Sequence, residues 1–176
     1  MTSFEPVYAA LFAVSSGLAS FVTSSRRVVP FMKMSAQQCP ALFQGMGDEI
    51  NETPRTRMPP RWRLTPKQYI YVDAGNDETV NPSTLINPIL GALRDAFPQA
   101  ALPGCRLQTL GGLIDPDNGG GHCFIERIET WEGTLGPREV AVVHFDILLT
   151  AVTYAELTIG GQEVTIGGQE AVVTFE

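Results

Sequence analysis

The chain is poor in the residues that usually carry chemistry. Its 176 residues include only three cysteines and two histidines, and no apolar run is long enough to span a membrane. Cys39, Cys105 and Cys123 are odd in number and irregularly spaced, which argues against a disulfide framework and for a reducing compartment. The longest apolar stretch near the start, "VYAALFAVSSGLASFV", follows an acidic residue, lacks a basic flank and is broken by serines. Neither a secretory signal nor a membrane helix is expected from it.

Catalytic signatures are equally scarce. There is no G-x-S-x-G elbow, and two histidines on separate predicted strands give little support to a Ser or Cys nucleophile. His122, Cys123 and His144 lack the CxxC or HxxxH spacing that gathers zinc ligands, so no metal is expected. "GGLIDPDNGGGH" is rich in glycine and holds Asp115 and Asp117, but it lacks the P-loop Lys-Ser/Thr pair and the late glutamate of an EF-hand. It reads as an inter-strand loop. Glu126 and Glu129 would serve as an acid/base pair only if buried together, and their strand context suggests surface. No catalytic residue and no cofactor is expected.

What is present is a globular composition, 44% hydrophobic and 18% charged, with an uneven charge distribution. The net charge is -7, yet residues 1–67 carry +4 and residues 68–176 carry -11. A subunit that associates with copies of itself can use such polarity, because opposite patches steer and orient docking. Arg55, Arg57, Arg61 and Arg63 cluster around Trp62, a combination found both in nucleic-acid patches and at protein interfaces. The acidic balance, with a pI near 4.8, favours the protein interface. Arg26 and Arg27, the basic step before "VVPF", join them as interface candidates.

Along the chain, Phe4, Val7, Tyr8, Leu11, Phe12 and Leu18 fall at three- and four-residue steps, predicting a helix over about 3–18 with Thr2 or Ser3 as its cap. "SFVTSSRRVVPF" reads as a turn and a short extended piece. "PALFQGM" and "RWRLTPKQYIYVDAG" read as strands joined through a long polar arm at about 48–60. A second helix is predicted in "NPSTLINPILGALRDAF", with Leu85, Ile86, Ile89, Leu90, Leu93 and Phe97 on one side, Pro82 in its first turn and Pro88 as a bend or restart. Strands are then expected in "CRLQTLGG", "HCFIERIETW" and "REVAVVHFDILLTA", the last two joined by "EGTLGP". The predicted order is α-β-β-α-β-β-β, an α+β fold with two helices on one face of a mostly antiparallel sheet. Residues 1–150 form one domain in this scheme. Residues 151–176, with "TIGGQEV" followed by "TIGGQEA", form an extension that reads as a short hairpin or loose arm.

Taken in order, the N-terminal helix, "FVTSSRRVVPF", "CPALFQGMGDE", "YIYVDAG", "NPSTLINPILGALRDAF", "RLQTLGG", "CFIERIETWEG" and "VAVVHFDILLTA" resemble the tail terminator (tail completion) proteins of long-tailed bacteriophages over about residues 4–150. The resemblance implies a non-enzymatic structural protein of the virion, at the junction of tail and head and assembled in the host cytoplasm. It implies a homo-oligomer, a hexameric ring, that caps the tail tube, stops its polymerisation and presents a surface to a head completion or connector protein. Its partners would be the tail tube protein, that connector and duplex DNA passing through the lumen without sequence-specific binding, with no membrane. Two alternatives stay open: another neck or tube component, and a small hydrolase or ligand-binding domain using the 111–121 loop.

Overall fold

Strand β7 (Arg138–Thr150) organises the molecule, because it is buried from Glu139 to Leu149 and paired along both sides. Such a strand must be central, since each of its faces and each of its edges is covered. The computed structural model describes residues 3–55, 60–75, 79–100, 106–117, 119–131 and 137–150, together with the backbone pairing of 156–159 and 162–165.

On one side of β7 runs β6 (Gly121–Trp131), antiparallel, with a bulge between Ile125 and Arg127. On the other side lie β4 (Arg61–Leu64) and β5 (Lys67–Asp73), which share one register: Leu64 faces Ile147 and Lys67 faces His144. The Phe145 N–H donates to the Pro66 carbonyl at 3.0 Å between them. The two strands are therefore one ribbon interrupted at Pro66, which has no N–H to give. Outside that ribbon lie β2 (Ala41–Gly45) against β5 and β3 (Glu49–Asn51) against β4. Gly45 pairs with Lys67 and Glu49 with Leu64, so the outer strand spends one residue more and bulges. Gly47 sits in that bulge, where a Cβ would stand 1.6 Å from the Thr65 carbonyl oxygen, so only glycine fits. β1 (Thr23–Ser25) adds in parallel to β2 and completes a seven-stranded, mostly antiparallel sheet.

Helix α1 spans Glu5–Gly17 and α2 spans Pro82–Ala96, so the fold is α+β. Asn81 caps α2 by accepting the Ser83 N–H at 3.0 Å, Pro82 occupies the first turn, and the helix runs on through Pro88 instead of restarting. Its buried stripe is Ile86, Ile89, Leu90 and Leu93, while Leu85 is left exposed. These side chains join Val7, Tyr8 and Leu11 of α1 in one cluster with Leu42, Leu64, Ile70, Val72 and the odd-numbered β7 residues from Ala141 to Leu149. Phe97 meets Phe145 edge-on at 5.0 Å in its interior. A smaller cluster, Met34, Ala41, Phe43, Tyr71, Val140 and Val142, forms where residues 29–39 fold over one end of the opposite face. Two 3-10 turns, Phe31–Lys33 and Ala36–Gln38, shape that cover.

Three expectations need correction. "CRLQTLGG" forms no strand over its described residues, 106–112: the Leu110 N–H is taken by the Gln108 side chain, and Leu110, Gly111 and Gly112 all have positive φ. Leu110 and Ile114 instead plug into the core from a turn. The arm at 48–60 begins as β3, so its first residues belong to the sheet. The element order is accordingly α1, five strands, α2, then β6 and β7. The "EGTLGP" connection lies almost wholly outside the described residues. Within the C-terminal extension, β8 (Glu156–Ile159) and β9 (Gln162–Thr165) pair antiparallel as a separate two-stranded sheet, in keeping with a hairpin.

Candidate interaction surface

The sheet face away from the helices carries two polar residues of β7. His144 and Asp146 alternate with the core-facing Phe145 and Ile147, as the two-residue period of a strand requires. Asp146 lies between Arg63 from β4 and His122 from β6, with the Arg63 Nη1 on its carboxylate and His122 Nε2 at 3.5 Å. Arg63 also reaches the other way, donating from Nε to Glu52 at 2.6 Å. The four side chains link the segment that follows β3 to the middle of the sheet.

Burial raises the Asp146 carboxyl, but the facing His122 and Arg63 outweigh it and hold the group below its ordinary value. The bond to Glu52, aided by the Asp146 charge, lifts Arg63 against its own desolvation. One turn of the pleat away, His144 stands 3.3 Å from Glu129. Burial and the nearby Arg127 push its imidazole below the ordinary range despite that glutamate.

Of the seven residues singled out from the sequence, most are engaged within the chain. Arg26 holds both oxygens of Glu5, closing the β1 end of the sheet onto α1, and both groups shift toward their charged forms through that hydrogen bond. Arg61 lies 3.7 Å from Glu52, and Arg63 is clamped as described. Trp62 packs on Phe4 with ring centroids 5.3 Å apart. Arg27 and Arg55 are exposed and make no ion pair among the described residues. Arg57 lies outside them. The structure thus brings Arg61, Trp62 and Arg63 together on β4 and leaves Arg26 and Arg27 near the other end of the sheet.

Glu52 and Asp146, which hold Arg63, and His122, which flanks Asp146, were not legible as such. Arg63 and Asp146 are 83 residues apart in sequence and meet only through the β4–β7 pairing. Among the described residues the cysteines and histidines do not converge: Cys123 points into the helix-side core, where burial pushes its thiol strongly up, whereas His122 faces Asp146. Among the described residues no group of three or more His, Cys, Asp or Glu could hold a metal ion, and no helix is long and apolar enough to cross a membrane. Within the 111–121 loop the Gly120 N–H donates to the Asp115 carbonyl at 2.7 Å.

The fold and this surface define an α+β domain with one helix-covered face and one face of cross-strand ion pairs. No family model and no curated protein matches the chain. Among solved structures, a chain of "Virion of native gene transfer agent (GTA) particle" aligns with 82% of this chain and 91% of its own at 14% identity and a TM-score of 0.39.

Proposed function

We propose that this protein is a structural subunit of a virion, a ring-forming tail terminator that caps the tail tube and offers the joining surface for the head. The observation that carries the reading is the match between the tail-terminator-like segments and the built elements. "ALFQG", "KQYIYVD", "PSTLINPILGALRDA" and "REVAVVHFDILLT" are β2, β5, α2 and β7, the pieces that frame one sheet and one core. A compact chain of this length has a radius of gyration of about 16 Å, so six copies would enclose a hole about as wide as one subunit, enough for duplex DNA. Acidic walls would let that DNA slide, because affinity for phosphates grows with the cations presented. The -11 charge of residues 68–176 suits such a lumen, and the basic first third suits contacts to neighbours.

The test is tube growth. Purified protein added to polymerising tail tube subunits should arrest elongation at substoichiometric ratios and shorten the tubes seen by negative-stain microscopy. Tubes that grow to the same length with and without it would contradict the proposal. A tube-subunit role predicts the reverse, long tubes from the purified protein alone.

A further inference from the structure

Each of the two sides of the sheet leaves an edge open, and the side chains at those edges are complementary. On one side, β1 covers β2 only as far as Phe43, so the stretch 45–51 has no strand outside it among the described residues. It exposes Met46, Asp48 and Ile50 at alternate positions, with Met46 72% and Ile50 45% accessible. The Asp48 backbone is fixed by hydrogen bonds to Thr65, while its carboxylate makes no ion pair among the described residues. On the far side, β6 is paired with β7 alone among the described residues. A groove of about 380 Å³ opens beside it, where the C-terminal end of α2 passes the strand, lined by Arg94, Phe97, Ile125, Glu126, Arg127 and Ile128 among others. Arg127 is already paired with Glu129 at 3.0 Å. Arg94 is exposed and without an ion pair among the described residues.

We propose that the Met46–Asp48–Ile50 edge of one copy docks into the Arg94 groove beside β6 of the next. An acid flanked by two apolar side chains meets a mixed groove in which Arg94 stands beside Phe97, Ile125 and Ile128, with Glu126 in the same lining, whereas two copies of the acidic edge would set acid against acid. The occupant is therefore a second copy of this chain joined head to tail. Two different patches on opposite sides of one sheet give a heterologous contact, the kind that closes rings. The inference rests on the assembly reading above and supplies its subunit interface.

The test is a charge swap in the full chain: Asp48→Arg, Arg94→Glu and the double variant, with Met46→Lys and Arg94→Ala as milder probes. Circular dichroism checks that each is folded, and light scattering after size exclusion reads the assembly. The wild type should associate beyond the monomer. Each single reversal should raise the concentration needed by about tenfold or more, since like charges then meet at the contact, and the double variant should recover most of the loss. The proposal is overturned if the wild type stays monomeric at every concentration, if the folded single variants assemble as it does, or if the double variant fails to recover. Folded single variants that still form rings and arrest tubes would remove this interface and leave the terminator role standing. Charge rescue of a ring that never arrests tubes would do the opposite.

Discussion

The two faces of β7 are built on different physics from the same thirteen residues. Ala141, Val143, Phe145, Ile147 and Leu149 meet both helices in a dry cluster, where each fully buried large side chain contributes about 1.5–3 kcal/mol. On the other face His144 and Asp146 meet Glu129, Arg63 and His122, and the charges are only partly removed from water. Pairs of that kind add little net stability and much geometric definition. The first face holds the chain folded, and the second ties the segment that follows β3 to the middle of the sheet.

The sharpest way to break this contrast is on the dry face. Phe145→Ala, which also strips Phe97 of its edge contact, should cost about 3–5 kcal/mol in denaturant unfolding. Gly47→Ala comes next, because its Cβ would strike the Thr65 backbone, which cannot swing aside; a loss of about 1–3 kcal/mol is expected, seen as a lowered unfolding midpoint. On the charged face, Asp146→Ala should cost about 1–2 kcal/mol, less than Phe145→Ala, since Arg63 keeps Glu52 and water. Equal losses from Phe145→Ala and Asp146→Ala would erase the distinction between the faces.

Acid should act on the charged face. His144 has its pKa lowered in the fold, first by burial and then by Arg127 and Lys67 against Glu129 and Glu126. Below about pH 6.5 the unfolded chain therefore binds more protons than the native one, so its stabilising effect is present above that value and lost as pH falls through the folded pKa. Asp146, also lowered, adds a second loss below the ordinary carboxylate range of about 4. Denaturant midpoints measured from neutral to mildly acidic pH should fall, and His144→Gln should flatten the part near pH 6 without touching the part below 4. The smallest effect is expected at Arg26→Ala. Its pairing with Glu5 is exposed, and no measurable change in unfolding is predicted.

What the sequence disclosed follows the same division. The dry face was legible because apolar alternation in "VAVVHFDILL" and the helical stripe Ile86, Ile89, Leu90, Leu93 are local signals of burial. β3 escaped notice because all three of its residues are exposed, so an edge strand there leaves no apolar period to read. "CRLQTLGG" misled for the converse reason: Leu107 and Thr109 alternate as in a strand, but two glycines at positive φ turn the chain and send Leu110 inward. The charged face and the Arg94 groove were illegible, since each joins residues far apart in sequence. Arg26 stands out as part of a basic step and Arg61 and Arg63 as an arginine cluster around Trp62; the carboxylates they meet within the chain, Glu5, Glu52 and Asp146, lie far from them in sequence or give no local signal.

The central claim is that this chain works as an assembly subunit at the end of a tube. Its most direct test is microscopy of tail tubes incubated with the purified full-length protein, followed by averaging of the tube ends. The account predicts a six-fold ring on one end of each tube and none along its side. Bare ends, with the protein left as free monomer, would contradict it.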